Sequence, residues 1–521
     1  MIKANCEAKL IIDDMRQTME ELTDMLLKID KTRPVPVYKQ IISQVKTLIE
    51  EGVLAAGHAL PSTRALARKL GINRSTVYLA YEELQAQGYL ESRPGSYNIV
   101  FKRRKEVSFQ PESRSIISWD KLSSGRANDI YETFLRFSPE RCALSLSGQR
   151  MINLAALDLD PRLYPVREFR KCVNQVLRSF GPGSLEYGAH RGYKPLRNYI
   201  SQRLRLHGIS VSEEEILITN GAQQAIDLII RVLAGKEKKA VVESPTYAQV
   251  IPLLKYYGMK IIGIPMKEDG MDLAALERVL KKGKIRFVYT IPNFQNPTGL
   301  TSTHAHREKL LGLCLEHKVP IIEDGFEEEM KYFGRVDLPI KSMDEKKIVI
   351  YLGTFSKALF PGLRIGWVAA DKEFIERATA IKRFSDLTSN NFAQVVMSNF
   401  CTGGFYDLHL KRLHRAFRKR MLAALESMDK HFPDCVRWTR PVGGYTIWVK
   451  LPRKFTEKEL GEFLSPYGIT VSHGSYYFPK PGPSEYFRVS IASLNEEEIR
   501  EGIVRLGKAL KNLLKISEER K

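Results

Sequence analysis

The sequence has little of what secreted, membrane-spanning and metal-binding proteins need. Its six cysteines form no CxxC pair, so neither a zinc site nor a disulfide framework is indicated. No apolar run approaches the roughly 18 residues of a membrane helix, and the acidic Glu7, Asp13 and Asp14 are untypical of a signal peptide. We find no internal repeat and no low-complexity tract. We expect a protein of the reducing cytoplasm, with no membrane partner and no metal.

Basic residues are what the sequence has in excess. The formal net charge is +21 over 521 residues, which favours an anionic partner, nucleic acid first and a membrane surface second. Charge alone does not choose between specific binding, non-specific adhesion and a merely basic solvated surface. At 43% hydrophobic content, a chain of this length is expected to hold more than one domain.

The chain divides into four predicted segments. The first, residues 1–32, has apolar positions at three- and four-residue intervals, as in an amphipathic helix: Met15, Met19, Leu22, Leu26 and Ile29. Pro34 and Pro36 then interrupt any helix. The other three segments are a small module of helices and a hairpin, an interdomain linker and a large domain, at residues 33–101, 102–147 and 148–521.

The large domain alternates short β-branched runs with longer helical patterns, which is typical of βαβ units around a buried parallel sheet. These runs are residues 240–243, 285–291, 319–323 and 347–352. We therefore predict a multidomain chain with a small α+β module before a large α/β domain.

The small module carries a helix-turn-helix spacing. Ala67, Gly71 and Val77 stand at relative positions zero, four and ten, as close helix crossing, a left-handed turn and a branched packing residue require. Asn73 is placed to cap the second helix. Its exposed first turn would then present Arg74, Ser75 and Thr76. That end of a recognition helix meets base edges in the major groove, so these residues are candidate DNA readers.

A predicted hairpin follows, with its turn at Pro94-Gly95 and with Arg93 and Ser96 directed at the DNA backbone. From PVYKQ to SYNIV, the segment resembles the winged helix-turn-helix of the GntR superfamily over its whole length. The resemblance adds Arg64 to the DNA contacts. It also marks Tyr97 as a departure, because the wing usually carries another glycine there.

In the large domain, GTFSKALFPGLRIGW places Lys357 in a Ser/Gly-rich loop beside Ser356, with Arg364 seven residues later. These are the groups that a Schiff-base lysine and a phosphate site need. Four further segments end predicted strands. The first offers helix-opening amides at Gly221, Ala222 and Gln223. The others offer an aromatic ring for a flat heterocycle at Tyr247, an amide donor at Asn296 and a carboxylate at Asp324.

In this order, the segments resemble the fold-type I aminotransferases over roughly residues 150 to 515, with a smaller C-terminal α+β subdomain. The resemblance implies pyridoxal 5'-phosphate (PLP), with Lys357 as its Schiff-base lysine and Asp324 on its pyridine nitrogen. Asn296 would contact the phenolic oxygen and Tyr247 would stack on the ring. The phosphate would be held by Gly221, Ala222, Gln223, Ser356 and Arg364. Arg488 would take a substrate carboxylate, and Tyr187 and Tyr193 belong to a mobile segment that in dimers reaches the neighbouring site.

One departure concerns catalysis. Such aminotransferases usually place a tyrosine two or three residues after the aspartate, where it tunes the internal imine. Here these positions are Phe326 and Glu327. We expect cofactor binding to survive, because Lys357 and Asp324 remain, and we expect catalytic tuning to weaken.

The combined layout resembles the MocR-type (GabR-like) subfamily of GntR regulators. It implies a homodimer that binds double-stranded operator half-sites and senses a small amino compound, or PLP itself, through an aldimine at Lys357. The alternative is a working aminotransferase with an accessory DNA-binding module. Phe326 favours the regulator, with at most residual transaminase activity. Non-specific adhesion through the basic surface is a third hypothesis.

Overall fold

The computed structural model describes residues 27–93, 97–101, 117–137, 151–235, 239–334, 337–480 and 482–518. The chain divides into two compact units, Met1–Ser118 and Trp119–Lys521. Within the described ranges, no helix is both long enough and apolar enough to cross a membrane.

The described residues of the first unit form three helices and a hairpin. Its elements are α1 Val37–Glu50, α2 Thr63–Leu70, α3 Arg74–Ala86, β1 Leu90–Arg93 and β2 Tyr97–Val100. The predicted spacing is confirmed, since Ala67 and Val77 are buried between the helices and Gly71 ends α2 with a left-handed φ of 59°. Ser62 and Asn73 cap α2 and α3, because their side-chain oxygens accept backbone N–H bonds from Ala65 and Ser75. The predicted winged helix-turn-helix is therefore formed.

Residues 27–30, the described residues near the end of the predicted first helix, lie outside any helix. The Gln44 side chain both donates to and accepts from the backbone of Lys28, at 2.7 and 2.8 Å, and Gln40 does the same with Asp30, at 2.9 and 3.0 Å. These two glutamines lie one turn apart on α1 and bind alternate residues of this stretch. Ile29 therefore lies outside any helix. Met15, Met19, Leu22 and Leu26 fall outside the described residues.

The described part of the second unit consists of helices, a large sheet and a smaller subdomain. Its helices are α4 Trp119–Leu122, α5 Gly125–Phe137, α6 Val166–Phe180, α7 Lys194–Leu206, α8 Ala222–Leu233, α9 Val250–Tyr256, α10 Leu273–Lys281, α11 His304–Glu316, α12 Lys372–Asp386, α13 Asn391–Thr402, α14 Phe405–His431, α15 Glu457–Leu464 and α16 Glu496–Glu518. Its strands are β3 Ile152–Asn153, β4 Ile216–Thr219, β5 Lys239–Ser244, β6 Lys260–Lys267, β7 Gly270–Met271, β8 Phe287–Thr290, β9 Ile321–Asp324, β10 Val349–Thr354, β11 Gly366–Ala369, β12 Arg437–Trp438, β13 Thr446–Phe455, β14 Ile469–Thr470, β15 Ser472–His473 and β16 Ser484–Ser490.

The large sheet has eight strands in the order β4-β11-β10-β9-β8-β5-β6-β7. From β10 to β6 the neighbours run parallel, whereas β11 is antiparallel to both of its neighbours. All four strands predicted from β-branched runs are present, as β5, β8, β9 and β10. Because parallel strands end at one edge of a sheet, this topology brings the segments that follow them together.

The C-terminal subdomain is built on a four-stranded antiparallel sheet, β12-β13-β16-β15. The long helix α14 packs against α16 beside it. This arrangement confirms the predicted small α+β subdomain, and it places β15 and β16 at the edge of the large sheet's site.

The stretch predicted to be a linker contains two helices, α4 and α5. Helix α5 packs against α9, and the Arg126 guanidinium donates to the Tyr256 carbonyl at 3.4 Å. Part of this stretch therefore belongs structurally to the second unit. The tertiary contact with α9 supplies an ordering that the weak local periodicity did not indicate.

The glutamine contacts before α1 lead to a stability prediction. Gln44→Met and Gln40→Met should speed hydrogen exchange at the Lys28 and Asp30 amides, respectively, by at least about tenfold, because each variant loses hydrogen bonds worth about 1 kcal/mol each. Exchange at Val77, inside α3, serves as the internal control and should not change. Unaltered exchange at Lys28 and Asp30 would show that the glutamine amides do not hold the segment.

Candidate functional site

A cavity of about 370 Å³ lies at the carboxyl ends of the parallel strands. Nine side chains singled out from the sequence line it: Ala222, Gln223, Tyr247, Asn296, Asp324, Ser356, Lys357, Arg364 and Arg488. They come from separate stretches of the chain. The fold therefore brings together residues that are up to 266 positions apart in sequence, from Ala222 to Arg488.

Lys357 follows β10 and lies on the cavity wall. Its Nζ donates to the carbonyl of Leu157 at 3.1 Å. Burial lowers the pKa of this ammonium, and the positive charges of Arg488 and Arg364 lower it further, against the opposing carboxylates of Glu327 and Asp158. A lysine with a lowered pKa has more free amine at neutral pH, which is the form that attacks a carbonyl.

Asp324 ends β9 and is buried at 3% exposure. The Tyr289 hydroxyl donates to its Oδ2 at 2.6 Å, and the Phe326 backbone N–H donates to Oδ1 at 3.2 Å. Burial raises the pKa of Asp324 to about 6, although both hydrogen bonds act against the rise. At neutral pH the group is therefore mainly a carboxylate, suited to hold a protonated ring nitrogen.

The opposite end of the cavity is built to receive an anion. Helix α8 begins there after Gly221, whose φ is 81°, and no side chain caps its first amides. The Arg364 guanidinium donates to the Asn220 carbonyl at 3.0 Å, and a Cβ at Gly221 would approach Arg364 Nη2 to 2.5 Å. Only glycine allows this guanidinium to lie against the helix start. Free amides and a cation then face the same space.

Arg488 projects from β16 into the cavity and is 6% exposed. Its guanidinium donates to Asn296 Oδ1 at 3.1 Å and to the Ala155 carbonyl at 2.6 Å, and it lies 5.4 Å from the centre of the Tyr477 ring. Its Nε is buried without a hydrogen-bond partner among the described residues. The cavity therefore holds a cation with donor capacity to spare.

Tyr247 follows β5, and its hydroxyl donates to Gln223 Oε1 at 3.3 Å. Its ring lines the cavity, as predicted for a stacking residue. Tyr187 and Tyr193 do not line this chain's own cavity. Tyr187 is 84% exposed, whereas Tyr193 is half-buried before α7.

Sequence reasoning missed the residues that support this site. Tyr289 lies in β8, one strand away from Asp324, and Tyr445 donates its hydroxyl to the Lys357 carbonyl at 2.6 Å. Leu157 and Asp158 arrive from the beginning of the domain. Each of these contacts depends on strand order or on the packing of the small subdomain. Tyr289 did lie in a strand predicted from the sequence, residues 285–291, but that pattern did not point to the site.

The candidate DNA readers lie on the exposed side of the first unit. Arg64, Asn73, Arg74 and Ser75 are exposed and Thr76 is partly exposed, while Arg74 Nε donates to Thr63 Oγ1 at 3.4 Å. In the predicted wing, Arg93 pairs with Tyr97 in the hairpin. The side chains of Arg93 and Tyr97, and the whole of Ser96, fall outside the described residues.

Comparison with known families accounts for both units. Residues 150–506 match the family described as aminotransferase class I and II, and residues 37–97 match the bacterial regulatory proteins of the gntR family. The first match covers more than half of the chain. The two matched ranges contain the large cavity and the helix-turn-helix, respectively.

Relatives of two kinds are similar to this chain. An uncharacterized HTH-type transcriptional regulator of Bacillus subtilis, YdfD, is 31% identical over 487 residues, which cover 93% of this chain and 98% of the relative. Aromatic-amino-acid aminotransferase 1 of Thermococcus litoralis is 37% identical over 371 residues, covering 70% and 89%, respectively.

A solved structure extends the comparison to the cofactor. It is that of LysN, the alpha-aminoadipate aminotransferase of Thermus thermophilus, complexed with N-(5'-phosphopyridoxyl)-L-leucine. It matches with a TM-score of 0.70 and 32% identity, over 77% of this chain and 100% of that structure. The large unit is thus of the PLP-dependent aminotransferase fold. The chain belongs to the aminotransferase class I and II family and, through its gntR-family module, to the MocR subfamily of transcriptional regulators.

Proposed function

We propose that this regulator controls transcription in response to an amino compound, or to PLP itself, that reaches Lys357. One observation carries the proposal: a helix-turn-helix with an exposed Arg74 shares the chain with a cavity in which eight other predicted residues converge around a lysine of lowered pKa. Because the target is chromosomal DNA, we place the protein in the cytoplasm.

The cavity's residues fit PLP. When bound, PLP supplies an electrophilic carbonyl and a ring that withdraws electrons. Lys357 would hold its carbonyl carbon, Asp324 its pyridine nitrogen, Asn296 its phenolic oxygen and Tyr247 the face of its ring. The phosphate would be held by Gly221, Ala222, Gln223, Ser356 and Arg364. The Gly221 cradle, which a Cβ would fill, supports this placement of the phosphate.

Arg488 would bind the carboxylate of the effector. The Nε, which has no partner among the described residues, and the planar guanidinium beside Tyr477 support this role, because a carboxylate accepts two parallel N–H bonds from such a fork. The cavity therefore favours an amino acid, or another amine with a nearby carboxylate, over a simple amine.

On the DNA side, Arg74, Ser75 and Thr76 would read base edges in the major groove, from a helix start that Asn73 caps. Arg64 and the wing residues Arg93 and Ser96 would contact the phosphate backbone. These contacts are proposed for each half-site of a paired operator.

Paired half-sites require a dimer, and an exposed apolar patch supports one. Two adjoining stretches of the second unit contribute four exposed large side chains to it: Leu185 at 67%, Tyr187 at 84%, Phe384 at 88% and Leu387 at 55%. His190 Nδ1 lies 3.1 Å from the Leu387 carbonyl, so the two stretches adjoin. We propose that a second copy covers this patch, which would carry Tyr187 towards the partner's cavity.

Sensing requires that the effector bind one arrangement of the dimer more tightly than another. Release of Lys357 and occupation of Arg488 are the two contacts that change when an amine with a carboxylate replaces the lysine. We propose that these changes select the arrangement that fits the operator, or the one that does not.

The DNA proposal predicts different effects for two exposed arginines. Arg74→Ala should weaken binding to the chain's own operator by about 1–3 kcal/mol and reduce its preference over competitor DNA, since a base contact is lost. Arg68→Ala, on α2, removes the same charge and should leave that preference unchanged. Gel shifts against competitor DNA over a range of salt concentrations measure both. If Arg74→Ala lost the same affinity for all DNA sequences, Arg74 would be a phosphate contact and not a base contact.

The cofactor proposal predicts separate losses for two variants. Lys357→Ala should lose the visible absorbance of the lysine-bound cofactor and any response of DNA binding to amines. Arg488→Lys should keep the absorbance. It should require at least about a tenfold higher concentration of a carboxylate-bearing amine than the unmodified protein for the same response, because a bidentate, charge-assisted contact is lost. Absorbance that persists in Lys357→Ala would mean that another lysine holds PLP.

A second candidate function is transamination between an amino acid and a 2-oxo acid. The 37% identity to the Thermococcus litoralis aminotransferase favours it. Phe326 and Glu327, in place of the usual tyrosine, favour the regulator instead.

Turnover assays separate these two functions. With candidate amino acids and a keto-acid acceptor, the purified protein should exchange amino groups slowly or not at all. Restoring a phenol by Phe326→Tyr, or in a separate variant by Glu327→Tyr, should raise any turnover if the missing hydroxyl limits it. Robust multiple turnover by the unmodified protein would establish it as a working aminotransferase.

A further inference from the structure

Glu327 is a buried carboxyl group beside the reactive lysine, and no role has been assigned to it so far. It is 2% exposed. A second, smaller space of about 30 Å³ has a lining that includes both Glu327 and Lys357. Lys357 lines both spaces. It therefore borders both the place of the cofactor and the space that Glu327 lines.

One residue of the small subdomain holds both groups. The Tyr445 backbone N–H donates to Glu327 Oε2 at 3.2 Å, and the Tyr445 hydroxyl donates to the Lys357 carbonyl at 2.6 Å. The preceding Gly444 has a φ of 68°, and a Cβ there would lie 2.6 Å from Glu327 Oε2. The backbone at this point is thus shaped around the carboxyl group.

The other carboxyl oxygen, Oε1, is buried and has no hydrogen-bond partner among the described residues. A buried carboxylate with one unpartnered oxygen is unfavourable, and a proton or a nearby cation relieves the cost. Lys357 is the charge that acts most strongly on Glu327, and Glu327 is the charge that acts most strongly on Lys357. Each group is therefore the main electrostatic neighbour of the other.

We propose that Glu327 is the proton partner of Lys357, keeping a proton while the lysine nitrogen is bound to the cofactor and giving it to that nitrogen when an incoming amine releases it. This step rests on the proposed sensing function. As the incoming neutral amine takes the cofactor's carbon, the bond from that carbon to Nζ breaks and the amine's two N–H protons pass to Nζ, which leaves as a neutral amine. The Glu327 carboxyl O–H bond then breaks and a third N–H bond forms on Nζ, so a neutral acid and a neutral amine become a carboxylate and an ammonium. No electron is transferred. Effector binding would then create a buried ion pair after β9 that the resting state lacks.

The electrostatics of the pocket agree with this exchange. Burial raises the pKa of Glu327 to about 8, while Lys357 opposes the rise, and burial lowers the pKa of Lys357. Charged groups on the other elements also act on the pair: Asp158, Asp324, Arg364 and Arg488. Glu327 supports the Lys357 ammonium, so removing its charge should lower the lysine pKa further.

The first experiment uses the full chain freed of cofactor. Competitive labelling of Lys357 with acetic anhydride, read by mass spectrometry over a pH series, reports the fraction of free amine. In Glu327→Gln the labelling midpoint should fall by about one pH unit, a tenfold rise in free amine below the midpoint. Glu327→Asp, which keeps the charge, should lie between the two. Glu328→Gln is the matched control and should move the midpoint far less, since Glu328 bonds to Asn293 and is not among the charges that act most strongly on Lys357.

The second experiment uses the cofactor-loaded protein. Infrared difference spectra on adding an amine that displaces Lys357 should show the loss of one protonated-carboxyl band, and Glu327→Gln should lack this change. Circular dichroism and thermal unfolding confirm that each variant is folded before it is compared.

The outcomes separate this proposal from the function on which it rests. An unmoved midpoint in folded Glu327→Gln, or an equal shift in Glu328→Gln, overturns the role of Glu327. A shifted midpoint in Glu327→Gln alone, in a chain that never binds PLP at Lys357, supports the electrostatic pairing and overturns the sensing function instead.

Discussion

The burial of ionisable side chains at the carboxyl ends of β9 and β10 is the constraint on which the chemistry of this protein depends. Burial raises the pKa values of Asp324 and Glu327 and lowers that of Lys357. Each shift disfavours the charged form of its group. Specific contacts then adjust the result, so that the Tyr289 hydroxyl helps Asp324 to stay ionised while one Glu327 oxygen has no donor among the described residues. Asp324 and Glu327, three positions apart in the sequence, thereby acquire different protonation states.

The same fold serves catalysis in some relatives of this chain and belongs to regulators in others. We expect these uses to differ in the group that exchanges protons with the lysine nitrogen. A phenol next to the imine favours repeated proton transfer. Here Phe326 supplies no hydroxyl, and Glu327 supplies a buried acid linked to the lysine through Tyr445. Such a pair can change its charge state once per binding event, which is what a sensor needs.

Much of the site was predictable because aminotransferase-like residues occur in short local motifs. Four of them stand at or after the end of a strand: Gly221, Asn296, Asp324 and Lys357. Each motif could therefore be recognised from its own strand and the residues that follow, without knowledge of the neighbouring strands. Tyr289, Tyr445 and Leu157 carry no such local mark. Their contacts cross from one strand to another or from one subdomain to another. Lys28 and Asp30 lie outside the predicted helix for a related reason, since Gln40 and Gln44 supply from α1 the hydrogen bonds that a helix would have made internally.

The sequence by itself determined the order of the elements, the helix-turn-helix and the presence of a lysine, an aspartate and two arginines suited to an anionic cofactor and a carboxylate ligand. These features follow from periodicity, turn residues and side-chain chemistry, which act over a few residues. Only the tertiary structure decided that Glu327 and Lys357 line one small space, and that Arg488 keeps an Nε unpartnered among the described residues. Burial and partnership depend on every element packed around a group, and no local pattern encodes them.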